Sequence, residues 1–313
     1  MMGISWKYLL LIVGISTLTI RTLLDSEFGK GTLLYIAIPF AISVALAFFT
    51  KVSDGTTVRK QYFNHMRLMT IIFLATSVIL FEGFVCMLMF MPIYYLFASL
   101  TFLFRWLSQD KSDDSLDNIF KVSAFPVLVL LLISEGMIPA TTVERTSTAT
   151  FVAESPLGVA ELQANMAAPI TFSSDRHWFL RLFPLPDSVQ AGSLGEGDIH
   201  HMDFTYKRWI WTNTHKGQMD VAITKVTPEH IQTKITRNDS YLDNYMEIDG
   251  TDVRFTPLAD GGTRVALTVR YERLLDPAWY FGPMQNLAAK QSAKQFLRDI
   301  IFRHPVQEVQ HGT

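Results

Sequence analysis

Two rhythms of apolar and polar residues divide this chain near residue 138. Up to that point, long runs of Leu, Ile, Phe, Met and Val are broken only by short polar segments. Beyond it, apolar positions recur every second residue in short stretches separated by Gly, Pro, Asn and Asp. The first rhythm is that of membrane-spanning helices, because a hydrocarbon core about 30 Å thick takes around 20 mostly apolar residues. Stretches 6–24, 32–50 and 119–138 have that character. A further stretch, 68–104, is too long for one span, and its only charged residue, Glu82, precedes Gly83. A turn there takes the carboxylate out of lipid. The pattern predicts an α-helical transmembrane bundle of five helices, 6–24, 32–50, 68–82, 84–104 and 119–138. Four spans plus a re-entrant piece ending near Pro92 is the alternative.

Arg21 and Asp25 stand where a signal-peptide cleavage site would need small residues, so the first stretch reads as a retained helix. On five spans, one side of the membrane carries Lys7, Lys51, Arg59, Lys60, Arg67, Arg105, Lys111 and Lys121, and the other only Arg21 and Lys30. The positive-inside rule puts the N-terminus in the cytoplasm and the C-terminal half outside it, as expected of a bacterial inner-membrane protein. An even count reverses that side. Glu82 and Glu135, each followed by Gly, are read as polar groups at the membrane edge.

The second rhythm predicts an α+β domain over 146–303, with 304–313 as a tail. A strand near 147–154 precedes helices at 155–166 and 174–183. Strands follow at 198–204, 207–214 with Trp209 and Trp211, 219–226, 231–237, 241–248 and 253–256, with Asp249-Gly250 as a turn. In 263–273, Val265, Leu267, Val269 and Tyr271 share one face against polar neighbours. A helix runs from Tyr280 or Pro283 to Phe302. Short connections dictate an antiparallel sheet, which buries its inner face by curving around that last helix and leaves an apolar cavity between them.

Several pieces in this order resemble one family: Gly195-Glu196-Gly197-Asp198 ahead of a strand, Gly217, Asp239-Ser240, Thr263-Arg264-Val265, and above all the run from Arg273 through Asp276-Pro277-Ala278-Trp279-Tyr280-Phe281-Gly282-Pro283. The domain is similar to the SRPBCC superfamily, the helix-grip fold of START-like lipid-transfer domains, polyketide cyclases and pathogenesis-related proteins, and the whole chain looks like a bacterial membrane-anchored group within it. The segment 241–245, Tyr-Leu-Asp-Asn-Tyr, departs from that group's Trp-rich strand. The resemblance implies a hydrophobic ligand held in the grip.

Candidate chemistry is sparse. Trp279, Tyr280 and Phe281 are candidates for the cavity mouth, with Trp209, Trp211, Val265, Leu267, Val269 and Tyr271 as its walls. His201, Asp203, Asp239 and Asp276 are the polar candidates. His200 and His201 point to opposite faces of a strand, so they do not share a metal, and no ligand spacing appears. No cofactor is expected. The 313 residues carry a formal charge of −2 and no basic stripe, which argues against nucleic acid, and one cysteine, Cys86, provides no disulfide framework. The leading expectation is a membrane-anchored module that binds a lipid- or isoprenoid-like small molecule, with membrane lipids as neighbours. A cyclase- or hydrolase-type enzyme and a ligand-free structural protein are the alternatives, and the oligomeric state is left open.

Overall fold

The structure, a computed structural model, describes residues 39, 58–79, 84–109, 135, 143–184, 186–207, 214–303 and 307–308. The stretches 6–24, 32–50 and 119–138 therefore lie outside the described residues apart from Pro39 and Glu135, as do Glu82, Trp209 and Trp211. The chain divides into two compact units, 1–143 with 275–278, and 144–274 with 279–313.

In the first unit, α1 (Val58–Ile79) and α2 (Phe84–Gln109) are the described helices. The apolar pattern starts the first of these at Leu68, but the helix begins at Val58 and takes in Arg59, Lys60, His65 and Arg67. Hydropathy marks only the apolar part, whereas no Gly or Pro interrupts the polar part. That polar half is tied to α2 by hydrogen bonds between Tyr62 and Ser99 and between His65 and Tyr94, both 2.8 Å. Phe73 meets the buried Tyr94 edge-on at 4.9 Å. Phe63, Leu68, Ile71, Leu96 and Leu103 are exposed. Among the described residues, no helix has a stretch long and apolar enough to cross a membrane.

The second unit is a nine-stranded antiparallel sheet packed on a long helix. Its elements are β1 (Thr146–Ser155), α3 (Val159–Met166), β2 (Ile170–Thr171), β3 (Pro186–Gln190), β4 (Ile199–Lys207), β5 (Thr214–Val226), β6 (His230–Asn238), β7 (Met246–Pro257), β8 (Thr263–Arg273), α4 (Ala278–Phe296) and β9 (Gln307–Glu308). The strand order is β2-β3-β4-β5-β6-β7-β8-β1-β9, so β1 docks beside β8 from Thr146 opposite Glu272 to Ser155 opposite Thr263. After α4 the helix widens into π-type turns over Leu297–Phe302.

The sheet is curved, and two contacts of α4 prove it. Phe296 packs on Phe172, just past edge strand β2, with ring centres 5.5 Å apart. Two residues earlier, the Lys294 ammonium lies 5.6 Å from the ring centre of Phe151 on β1. Laid flat, β2 and β1 would stand about 30 Å apart at the usual strand spacing, roughly three times a helix diameter. Only a sheet bent around the helix brings both strands to it. This is the helix-grip arrangement that the order of strands and helices implies.

Three local expectations change. The segment 174–183 is mostly irregular, with one short helical turn at Leu180–Leu182, because Arg176 and Arg181 spend their guanidinium donors on the backbone carbonyls of Ser173, Pro186 and Arg176. The segment Tyr241–Asn244 is a helical turn rather than a strand, held by Tyr241 stacked on the buried Tyr206 at 5.0 Å and 19°. Asp249-Gly250 is no turn: β7 runs straight through it, with a bulge where Ile248 pairs with Tyr271 and Gly250 with Arg270. Gly250 is needed there, since a Cβ would lie 2.1 Å from the Thr233 carbonyl oxygen.

Candidate functional site

Alternation along the strands decides which side chains meet the helix. On β4, His200, Phe204 and Tyr206 are buried on the inner face, with Met202 beside them, while His201 and Thr205 are exposed on the other. On β8, Val265, Leu267, Val269 and Tyr271 are all buried. Arg264 pairs with Glu154 at 2.7 Å and Arg270 with Asp249 at 3.0 Å on the outside.

Between sheet and helix the inner face leaves a cavity of about 110 Å³. Its walls are Met202, Phe204, Met219, Val221, Ile235, Leu267 and Val269 from the sheet, with Phe296, Ile300 and Ile301 from the helix end. α3 and β2 add Met166 and Ile170. Four lining residues carry polar side chains: His200, Thr233, Thr251 and Ser292. Two of these satisfy each other. The Thr233 hydroxyl oxygen accepts the Thr251 amide at 3.0 Å and lies 2.8 Å from the Thr251 hydroxyl.

His200 is held from outside the cavity. Its Nε2 lies 2.7 Å from the Ser193 carbonyl oxygen, which only accepts, so Nε2 carries the proton. The Ser193 loop is in turn fixed by Asp198, whose carboxylate accepts the Ser193 hydroxyl and the Gly195 amide, each at 2.6 Å. Those bonds, from Ser193 first and Gly195 next, favour the charged form and lower the Asp198 pKa. Gly197, at φ 92°, closes the turn by donating to the Ile223 carbonyl at 2.8 Å.

Further up the helix stripe, Gln285 is buried and donates Nε2 to the Tyr245 carbonyl at 2.8 Å. That acceptor fixes the amide's orientation, and Oε1 has no donor among the described residues. Ala288 and Ala289 separate Gln285 from Ser292, where the cavity lining begins.

The residues singled out in the sequence fall in several places. Leu267 and Val269 line the cavity. Val265 faces the same side but belongs to the solid core with Ala153, Leu162 and Leu297. Tyr271 is buried against Ala149, Met246 and Ala289, off the cavity lining. Burial raises its pKa, against the opposing pull of hydrogen bonds with Asn286 and Ser147. Trp279 is exposed and Phe281 fully buried, and none of Trp279, Tyr280 and Phe281 is in the lining.

The polar candidates do not converge. His201 stands on the outer face, 2.6 Å from Asp220, because residues of one strand alternate and His200 takes the inner side. Asp203 is on that outer face too, accepting from Gln218, Gln190 and Ser188, bonds that lower its pKa. Asp239 pairs with Arg237 near the surface. Asp276 is buried before Pro277 and is not among the lining residues. Glu135, in the first unit, accepts the Ala278 amide at 2.6 Å. Among the described residues no group of three or more candidate metal ligands occurs.

His200 stood in the sequence only as a rejected metal ligand, and Ser292 was not singled out. The signal for His200 was present: it shares parity with Met202 and Phe204, which mark the inner face.

No protein-family model matches the chain, and a comparison with curated proteins finds no match. Solved structures similar to about half of the chain include a START superfamily protein from Mycobacterium smegmatis, at 12% identity and a TM-score of 0.33, covering 49% of this chain and 92% of that one. A protein from Arthrobacter aurescens, also at 12% identity, covers 53% and 93% with a TM-score of 0.31. Norcoclaurine synthase from Thalictrum flavum, solved with dopamine and hydroxybenzaldehyde, is 14% identical and covers 49% and 86% with a TM-score of 0.29.

Proposed function

We propose that the second unit is a binding module that holds an apolar small molecule, lipid- or isoprenoid-like in character, between sheet and helix, while the N-terminal half anchors it in a membrane. The observation that carries the binding reading is the cavity of about 110 Å³ with its almost wholly apolar wall. Protein interiors otherwise pack as densely as organic crystals. An apolar occupant that fills a space of this size gains packing contacts on the order of 2–3 kcal/mol.

The lining also favours carriage over catalysis. Among the described residues that line the cavity there is no carboxylate, lysine or arginine. Acid–base work on a bound substrate needs a titratable pair within hydrogen-bond reach, and His200 alone does not make one. The anchoring reading is supported by the apolar stretches 6–24, 32–50 and 119–138 and by the exposed apolar side chains of α1 and α2. The lysine and arginine distribution supports an extracytoplasmic second unit.

The test is chemical extraction. The full chain, purified in mild detergent, is extracted with organic solvent, and the extract is compared with that of the detergent alone. An apolar compound recovered in near-stoichiometric amount is the expected result. Absence of any such compound, together with failure to take one up from a lipid extract, overturns the binding reading. Retention of the chain in membranes washed at alkaline pH tests the anchor, and release into the wash contradicts it.

A further inference from the structure

The cavity's polar features define the chemistry of one end of its occupant, an inference that rests on the binding reading above. The wall is apolar except at four residues, and the Thr233–Thr251 pair is largely satisfied internally. Ser292 sits on the helix near Pro186, which pairs with Phe204 four residues along β4 from His200, so His200 is the polar group left at its end of the cavity. His200, nine-tenths buried, uses Nε2–H on the Ser193 carbonyl, which leaves Nδ1 of the neutral ring as an acceptor with no partner among the described residues.

An acceptor on a nine-tenths buried ring that has no donor among the described residues is available to a ligand, and its tautomer is imposed from outside by the Asp198–Ser193 loop. We propose that His200 is the polar anchor of the cavity, and that its ligand is an apolar alcohol or phenol whose hydroxyl donates to His200 Nδ1. A carboxylate is disfavoured. It brings no donor to Nδ1, and its charge would be stripped of water among Met202, Val221 and Val269. The Gly195-to-Asp198 motif then has a function beyond turning the chain, because it sets the direction in which His200 presents its acceptor.

The experiment compares 2-naphthol, 2-methoxynaphthalene and 2-naphthoate as probes of the full chain in one detergent, by isothermal titration. Partition into micelles is common to all variants, so the ratio of affinities within each protein is the readout. The wild type should prefer the naphthol over the ether by about tenfold, the share of one buried hydrogen bond, and bind the naphthoate weakest. In His200→Leu the naphthol preference should fall to near one while the ether still binds, and His200→Gln, which keeps an acceptor, should restore part of it. If His200→Leu does not fold, Asp198→Ala, which releases the loop that fixes the His200 ring, decides, and should lower the preference by at least about threefold. An unchanged preference in the folded variants overturns the proposal, and so does a wild type that favours the naphthoate. A wild type that binds none of the three probes overturns the cavity reading itself.

Discussion

The Asp198 carboxylate accepts the Ser193 hydroxyl at 2.6 Å, and through that loop a residue outside the cavity governs a side chain inside it. Ser193 turns its carbonyl to His200 Nε2, and His200 lines the cavity. The outer motif and the inner wall are therefore one mechanical unit. Replacing Asp198 by Ala should leave the binding of purely apolar probes within about twofold of the wild type and remove the preference for hydroxyl-bearing ones, since only the orientation of His200 changes. Titration with the naphthol and its methyl ether reads both at once.

The same carboxylate makes stability depend on acid. Its pKa lies below the ordinary 3.8 because the Ser193 hydroxyl and then the Gly195 amide bond its charged form. A folded-state pKa below the unfolded value adds stability above that unfolded value, and the gain is lost as pH falls through the folded value. Urea midpoints measured from about pH 5 down to pH 2 should drop less steeply in Asp198→Asn than in the wild type. Parallel curves would contradict this.

Close backbone approach makes two glycines irreplaceable. A Cβ on Gly250 would lie 2.1 Å from the Thr233 carbonyl oxygen, and one on Gly217 would lie 2.3 Å from that of Asp239. Gly250→Ala and Gly217→Ala should each cost about 1–3 kcal/mol in chemical denaturation. Gly192→Ala is the control: nothing lies within 4 Å of its Cβ position, and a change within about 0.5 kcal/mol is expected.

The outer face of the sheet should be silent in binding. His201 is half exposed beside Asp220, and Asp239 pairs with Arg237 near the surface. Exposed pairs of this kind contribute about 0–1 kcal/mol. His201→Ala, Asp203→Asn and Asp239→Asn should leave probe affinities unchanged. A tenfold loss in any of them would move the functional site to the convex surface.

Filling the cavity separates binding from folding. Val269 lines it, and Val269→Phe places a ring in the void without adding a polar atom. Affinity for every apolar probe should fall by more than about tenfold, while the melting temperature stays level or rises, because filled space recovers packing contacts.

How much of this was legible depended on the range of the forces involved. The alternation of Val265, Leu267, Val269 and Tyr271 is a local pattern, and it gave the longest inner strand and its buried face. What it could not reveal is that Val265 packs solidly while Leu267 and Val269 border empty space, since that depends on where Leu162 and Leu297 arrive from distant sequence. Asp249-Gly250 reads as a turn because that dipeptide favours one, yet ladder pairing on both sides of β7 overrides the local preference and turns it into a bulge. The tyrosines at 241 and 245 have strand-like composition, but stacking on Tyr206 holds their segment in a helical turn. His201 and Asp203 stood out in the sequence as polar candidates while His200 was weighed only as a metal ligand, and strand parity then gave the interior to His200.

The most direct test of the account is native mass spectrometry of wild type and Val269→Phe, prepared side by side as full chains from the same cells. The wild-type mass should exceed that of the polypeptide by one small apolar molecule, lost on mild activation, and the variant should run at the bare polypeptide mass with an unchanged fold. Wild type at the bare mass after incubation with total lipid extract, or a variant that keeps the same adduct, would contradict it.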